Sequence, residues 1–198
     1  MGHRELEEEG PLKGSAIRAF FALPLPAGHR DALSRFLERC AAAAPEFRWA
    51  GADNLHLTLR FIGSVEQEAA EGIADRLHGT LGAPFEVALG EMGTFRRGRL
   101  VRVVWLGVRL GDEAMRALAQ RVEAECRDAG LEPESRAFKP HLTLARARAR
   151  DGAPMPGLPE LPALEPWRAE ELILYSSHLQ RAGAVHEPIR TLGFTSAS

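Results

Sequence analysis

The sequence predicts an α+β fold made of two related lobes, each built on an antiparallel sheet. Two observations carry this prediction. The tetrapeptide His-Leu-Thr-Leu occurs twice, at 56–59 and at 141–144. Each copy follows a stretch with the apolar pattern of a strand and then one with the pattern of a helix, and Leu23 and Val108 each lie 33 residues before the histidine of their copy. Because order and spacing both repeat, we interpret the halves as pseudo-symmetric lobes.

The two halves predict the same kinds of element. In the first half we expect, in order, a strand over 17–23, a helix over 27–43, a short strand over 47–49, the first motif strand closed by Gly63, a helix over 65–81 and a strand over 85–89. In the second half we expect a strand over 100–108, a helix over 111–129, the second motif strand, a proline-rich loop over 151–166 and strands over 172–176 and 185–191.

The domain organisation is simple. Residues 1–15 are polar and acidic, which is typical of a flexible extension, and we expect a single bilobal domain over 16–198. Glycines and arginines near 90–98 are typical of a turn, so we place the hinge between the lobes there.

Composition excludes some classes of protein. The 198 residues are 45% hydrophobic and 26% charged, as in ordinary globular proteins, and the net charge is −2. A broad nucleic-acid surface would bring a basic excess, so any RNA contact should be local. Cys40 and Cys126 lack metal or redox spacing and fall on apolar helix faces, which favours reduced buried thiols and a cytoplasmic protein. With no apolar run of membrane-spanning length, we expect a monomer without membrane contact.

The repeated motif suits acid–base chemistry on a phosphate. Side chains of a strand alternate between faces, so the His and Thr of each copy share one face. Two imidazoles can supply a base and an acid, and two hydroxyls between them can hold an oxyanion. The alternative is structural, because a strand histidine is usually a hydrogen-bonding residue and threonine is common in strands. The equivalent positions of His56 and His141 in matched lobes favour catalysis.

Other catalytic chemistries fit the sequence less well. A zinc site normally needs three or four protein ligands, and neither motif has a His, Cys or carboxylate at a ligand-like offset. A Gly-x-Ser-x-Gly elbow and a glycine-rich phosphate loop are both missing from the sequence. We therefore expect neither a metal nor another cofactor.

Longer segments around the motifs resemble a known family. Residues 49–63, Trp-Ala-Gly-Ala-Asp-Asn-Leu-His-Leu-Thr-Leu-Arg-Phe-Ile-Gly, and 138–146, Phe-Lys-Pro-His-Leu-Thr-Leu-Ala-Arg, resemble the two signatures of the two-histidine phosphoesterase superfamily. Within it the chain is most similar to the RNA 2′,3′-cyclic phosphodiesterases, historically called 2′-5′ RNA ligases, and 18–24 and 174–177 match as well. The resemblance implies a bilobal fold with a central cleft and helices outside, no metal, and hydrolysis of cyclic RNA ends to 2′-phosphates.

The resemblance also implies roles for single residues. His141 would act as the base on water and His56 as the acid at the ribose 3′-oxygen, while the residues themselves leave open that the roles are exchanged. Thr58 and Thr143 would donate hydrogen bonds to non-bridging phosphate oxygens. One histidine must be neutral and the other protonated, which predicts a bell-shaped pH dependence that belongs to the pair.

Arginines near the motifs are further candidates for substrate binding. The resemblance places Arg146 near the phosphate, but its offset from the second histidine is odd, so it reaches the histidine face only if the strand bulges there. Arg60 lies at an even offset from the first histidine, on the expected cleft face, where it either pairs with phosphate or is solvated. Arg146, Arg148 and Arg150 alternate as a basic face that meets either the RNA backbone or water.

Aromatic residues complete the candidate site. Phe20 and Phe61 are candidates for stacking a terminal base, although core packing is the commoner place for a phenylalanine. Histidines without a threonine two positions on are interpreted as surface or structural residues: His29, His78, His178 and His186.

Alternative functions remain open from the sequence. The same histidines would serve a phosphodiesterase acting on 2′-5′-linked oligonucleotides or other small cyclic phosphates, and reverse ligation of RNA ends would need no new residues. A non-catalytic RNA-end binding module would keep the cleft without needing the histidines for turnover. Intact histidines and threonines in both motifs favour an enzyme.

Overall fold

The computed structural model describes residues 16–155, 157–180 and 183–195, so the expected extension over 1–15 lies outside the described residues. In chain order the elements are β1 (Ala16–Pro24), α1 (Ala27–Ala43), β2 (Phe47–Trp49), β3 (His56–Glu66), α2 (Gln67–Leu77), β4 (Phe85–Arg97), β5 (Leu100–Leu110), α3 (Asp112–Asp128), β6 (His141–Ala147), β7 (Trp167–Ala169), β8 (Glu171–Gln180) and β9 (Gly183–Gly193). One turn of 3-10 helix over Ala52–Asn54 leads into β3.

The strands form two antiparallel sheets, as the sequence predicts. The first sheet has the order β3-β1-β8-β9 and the second the order β2-β6-β5-β4-β7. The motif strands β3 and β6 belong to different sheets and lie beside each other where the sheets meet. This arrangement brings the two copies of the motif to one place.

The core is continuous across both sheets. The helical stripe Met115, Leu118, Val122 and Cys126 of α3 is buried, and so is the stripe of α1 that ends at Cys40. Helix α2 packs on the first sheet, and α3, which follows a strand of the second sheet, packs against β3 of the first. Helix α3 therefore joins the two halves into one hydrophobic cluster. Both cysteines are buried free thiols, as predicted.

Several element bounds differ from the sequence prediction. Strand β3 continues past Gly63 to Glu66, where it pairs with the start of β1, and α2 is correspondingly shorter than predicted. The interpretation of 90–98 as a turn is wrong, because β4 runs without interruption to Arg97. Position 93 of this strand requires a glycine, because the Cβ of any other residue would lie 2.2 Å from the Trp105 ring on β5.

Candidate functional site

Two matching bulges decide which side chains face the cleft. In β3, Thr58 pairs with Ala22 and the next pair is Arg60 with Phe21, so Leu59 is the extra residue. In β6, Thr143 pairs with Trp105 and the next pair is Ala145 with Val104, which leaves Leu144 extra. After each bulge, every side chain lies on the face opposite to the one that simple alternation predicts. Phe61 and Arg146 therefore share the face of the histidine and threonine in their own strands.

Arg146 was expected to reach the histidine face only if its strand bulges, and β6 has such a bulge. The Arg146 side chain is exposed, lies on the face of His141 and Thr143, and lines the cavity described below. Arg150 also lines that cavity, whereas Arg148 is not among its lining residues and donates from Nε to the Pro45 carbonyl, 2.9 Å away. The basic face expected over these arginines is thus divided between the cavity and a structural contact.

The expected position of Arg60 is wrong, because the bulge at Leu59 turns its side chain to the opposite face. Arg60 is 8% exposed. Its guanidinium donates to Glu123 of α3 at 2.5 Å, to the Glu132 carbonyl at 2.5 Å and to Glu134 at 3.5 Å. With these partners Arg60, which also lies at the wall of the cavity described below, anchors β3 to α3 and to the loop that precedes β6, so its guanidinium is already paired.

His56 lies in an aromatic group on the first sheet. Its ring centroid is 4.7 Å from that of Phe20, 6.1 Å from that of Tyr175 and 5.2 Å from that of His186. The backbone carbonyl of Asn54, two residues earlier, hydrogen-bonds to the His56 ring. A ring held in this way from below and from the side has one orientation, which a proton-transferring group requires.

His141 has an equivalent setting on the second sheet. Its Nδ1 lies 2.6 Å from the Lys139 carbonyl, which is again two residues earlier. Phe95 packs against the ring edge-on at a centroid distance of 5.2 Å, and Trp105 lies at 6.2 Å. The Lys139 ammonium sits 4.2 Å from the centroid of the Trp105 ring. An Nδ1–H donated to the carbonyl leaves the other ring nitrogen, Nε2, free to accept a proton.

The surroundings favour neutral imidazoles in the unliganded site. Burial is the largest cause that lowers the pKa of His56 to about 4; the neighbouring His186 lowers it further, while the Asn54 carbonyl opposes the change. Burial also lowers the pKa of His141, and the charges of Arg146 and Lys139 act in the same direction against the hydrogen bond to the Lys139 carbonyl. An anionic phosphodiester would raise both pKa values.

A cavity of about 980 Å³ opens where the two motif strands meet. Thr58 and Phe61 of β3 line it together with His141 and Arg146 of β6, whereas His56 and Thr143 are not among its lining residues. Cations dominate its wall: Arg96, Arg97, Arg102, Arg136, Lys139, Arg146 and Arg150 all line it. The glutamates of the wall, Glu123 and Glu134, are the partners of Arg60. The cavity therefore suits an anion larger than a single phosphate.

The two candidate aromatic platforms differ. Phe61 is 52% exposed at the cavity wall, so its ring is available to a base. Phe20 is 1% exposed beneath His56, Tyr175 and Phe61, so the expected stacking of a base on Phe20 is wrong. Phe20 instead supports the first histidine from below.

Sequence reasoning missed residues that surround the histidines. It treated His186 as surface or structural, yet the His186 ring contacts both Phe20 and His56. Phe95 and Trp105 were assigned no role, although both lie against His141. The one available signal was Gly93, since a glycine inside an apolar strand indicates that another group approaches closely.

The described part of the chain has neither a cluster of metal-ligand side chains nor a helix that could span a membrane. Within 16–155, 157–180 and 183–195, no three His, Cys, Asp or Glu side chains are grouped so that they could hold a metal ion. Over the same residues, no helix combines the length and apolarity needed to cross a membrane.

Two antiparallel sheets that place paired His-x-Thr strands at a common cleft define a two-histidine phosphoesterase. Comparison with known proteins agrees with this class. The model of the 2′-5′ RNA ligase superfamily matches residues 27–181, and the chain belongs to this family.

Individual relatives cover nearly the whole chain. The RNA 2′,3′-cyclic phosphodiesterase of Methanothermobacter thermautotrophicus is 34% identical over 176 residues, which cover 86% of this chain and 95% of that protein. The RNA 2′,3′-cyclic phosphodiesterase of Escherichia coli is 33% identical over 181 residues, covering 90% and 97%. The crystal structure of E. coli LigT complexed with 3′-AMP superposes with a TM-score of 0.75 at 28% identity and covers 92% of this chain and all of that one.

Proposed function

We propose that this protein hydrolyses RNA 2′,3′-cyclic phosphodiester ends to 2′-phosphomonoesters, with His56 and His141 as its acid and base. The observation that carries the proposal is the pair of equivalent His-x-Thr strands, β3 and β6, which meet at one cation-lined cleft. Relatives named as RNA 2′,3′-cyclic phosphodiesterases at up to 34% identity support the choice of substrate. We expect the enzyme to act as a cytoplasmic monomer.

The proposed reaction needs one proton taken and one given. A water attacks phosphorus while Nε2 of His141 accepts its proton, and the bond from phosphorus to the 3′-oxygen breaks as His56 gives that oxygen a proton. The phosphate stays on the 2′-oxygen. The hydrogen bond that Nδ1–H of His141 donates to the Lys139 carbonyl supports the base, because it leaves Nε2 as the acceptor.

The same geometry supports roles for the neighbouring groups. Thr58 and Thr143 would donate to the non-bridging oxygens, and Arg146 would offset the charge that develops on phosphorus in the transition state. The negative charge of the bound substrate would raise the pKa of His56 from its low value in the empty site and so favour the protonated acid. Phe61 would stack the terminal base.

A first experiment separates this proposal from its alternatives. Hydrolysis of 2′,3′-cyclic nucleotides and of a cyclic-phosphate-ended oligonucleotide is measured in excess EDTA for the wild type, His56→Ala and His141→Ala. We expect a 2′-phosphate product, with kcat lowered roughly 10²- to 10⁴-fold in each variant. His78→Ala, an exposed histidine outside the cleft, is the control and should match the wild type.

Other outcomes would point to different functions. A 3′-phosphate product or a requirement for added metal would contradict the mechanism. Faster cleavage of 2′-5′-linked oligonucleotides than of cyclic ends would favour the second phosphodiesterase function. Tight binding of RNA ends with activity unchanged by both histidine substitutions would indicate a binding module and a contaminating hydrolase.

A further inference from the structure

A third histidine, His186, belongs to the environment of the first motif. It lies on β9, where it pairs with Ser177 of β8, on the face of the sheet that carries Tyr175 and Phe20. Its ring stands edge-on to Phe20 at 4.9 Å and to His56 at 5.2 Å, with interplanar angles of 80° and 86°. His186 is therefore the lateral support of the His56 ring, as Phe20 is its support from below.

A second contact ties the backbone beside His186 to the first motif. The Asn54 side-chain amide donates to the Ala184 carbonyl at 2.7 Å, while the backbone carbonyl of Asn54 hydrogen-bonds to the His56 ring. One residue thus fixes the start of β9 and the ring of His56 at the same time. The distance between the two imidazoles is set by this connection as well as by the sheet.

Packing alone does not account for an imidazole at position 186. Its Nδ1 is buried, and no hydrogen-bond partner for it exists among the described residues. A buried nitrogen without a partner costs free energy, and a phenylalanine would fill the same space without that cost. Phe95 stands edge-on to His141 at 5.2 Å, as His186 does to His56, which shows that an apolar ring can support a histidine in this geometry.

We propose that His186 is a positioning residue for the hydrolysis: its ring holds that of His56 in place, and its imidazole sets how readily His56 takes up a proton. The catalytic part of this inference rests on the proposed function. Two imidazoles at this distance disfavour double protonation, because like charges repel in a site with little water. Protonation of His56 would then follow substrate binding, when the phosphodiester supplies a compensating negative charge.

The charged groups around this pair are few. From β8, Tyr175 faces His56, and burial raises the pKa of the Tyr175 hydroxyl. From β1, the uncharged Phe20 faces His56. His178 and Glu187 form a pair at 3.6 Å on the opposite face of the β8–β9 hairpin. In the second lobe, Lys139 and Arg146 act on His141. Burial also lowers the pKa of His186, so His186 acts on His56 through charge only when it is itself protonated, and it is then the neighbour that acts most directly.

Two variants separate support of the ring from the electrostatic effect. His186→Phe keeps an aromatic edge but removes the ionisable group, and His186→Ala removes both. His178→Gln on the same hairpin is the matched control. The titration midpoint of the His56 ring is followed by NMR in substrate-free protein, and kcat and KM for a 2′,3′-cyclic nucleotide are measured across pH.

The expected results have a definite direction. In His186→Phe the His56 midpoint rises, because the repulsion disappears while burial continues to hold it below the ordinary value, and the pH profile of kcat/KM shifts with it. In His186→Ala kcat falls by about tenfold or more with KM little changed, since the ring loses its lateral support. His178→Gln leaves the His56 midpoint and kcat unchanged. If both His186 variants keep the wild-type midpoint and pH profile, His186 only packs and the proposal is wrong. The NMR titration needs no turnover, so its outcome stands even if the chain proves to act on a different phosphodiester.

Discussion

The first histidine shows how strongly the fold controls a single side chain. His56 combines burial, an adjacent imidazole and a hydrogen bond to the Asn54 carbonyl, and the first two lower its pKa to about 4. The folded protein therefore binds fewer protons at this position than the unfolded chain does between pH 4 and the ordinary histidine value of about 6.5. The group that we propose as the catalytic acid thus reduces stability in mild acid.

This difference predicts a pH-dependent stability. Because the folded pKa lies below the unfolded one, stability contributed by neutral His56 is complete above the unfolded pKa and is lost as pH falls from about 6.5 toward 4. Between about pH 7 and 5 the loss amounts to about 2 kcal/mol from this residue. In His56→Gln, urea unfolding should show a smaller decrease in the free energy of unfolding over that interval. An equal decrease in wild type and variant would contradict the assigned pKa.

At the scale of secondary structure, the sequence predicted an element correctly where a single hydrophobic periodicity runs through the whole element. The apolar stripes of α1 and α3 and the apolar run of β1, buried on both faces over 19–23, are correctly predicted elements of the core. Alternation fails at a bulge, because one extra residue reverses the face of everything after it. That error misplaced Arg60, and the matching bulge in β6 is what brings Arg146 to its histidine.

The remaining errors also have physical causes. The position of His186 depends on pairing between β8 and β9 and on a contact from Asn54, which lies 130 residues before Ala184, so no local pattern reports it. The length of β4 was missed because its second half carries exposed arginines beside the cavity instead of apolar residues. Sequence alternation detects burial, and a strand that lines a solvated cleft lacks that signal.

The anchor made by Arg60 predicts a loss of stability rather than of substrate affinity. Arg60→Met leaves Glu123 and the Glu132 carbonyl without the guanidinium donor, and because both glutamates of the anchor, Glu123 and Glu134, are partly exposed we expect a cost of about 2–3 kcal/mol, below that of a fully buried pair. The control is Arg76→Met, whose half-exposed pair with Glu125 also reaches α3 and should contribute less than about 1 kcal/mol. Urea unfolding measures both. Equal losses in the two variants would show that Arg60 is not a special anchor.

For the whole molecule, the distribution of charge is more informative than the net charge. The net charge of −2 excludes a generally basic surface, yet seven exposed cations gather along one cavity. Of these, Arg97 is paired with Asp151 at 2.8 Å. The seven cations come from β4, β5, β6 and the segments that flank β6, and two of them, Lys139 and Arg146, lie beside His141.

The charge distribution predicts that salt affects long substrates more than short ones. If about three backbone phosphates are contacted, kcat/KM for a cyclic-phosphate-ended oligonucleotide should fall roughly twentyfold between about 50 and 200 mM salt, with much less change for a cyclic mononucleotide. Arg96→Ala and Arg136→Ala should flatten the dependence for the oligonucleotide alone. Arg35→Ala on the outer side of α1 serves as the control. Identical salt dependence for the two substrates would mean that the cations do not contact the strand.

The duplicated hexapeptides differ at their last two positions, which are Arg60 and Phe61 in β3 and Ala145 and Arg146 in β6, and the last residue of each shares the face of its histidine. Two identical halves would make a site with a twofold axis, and such a site could accept a phosphodiester equally well in either direction. An aromatic ring on one side and a guanidinium on the other remove that degeneracy. Through this difference on the cleft face the site acquires a polarity, and the proposed substrate would have its two ends distinguished before any chemistry begins.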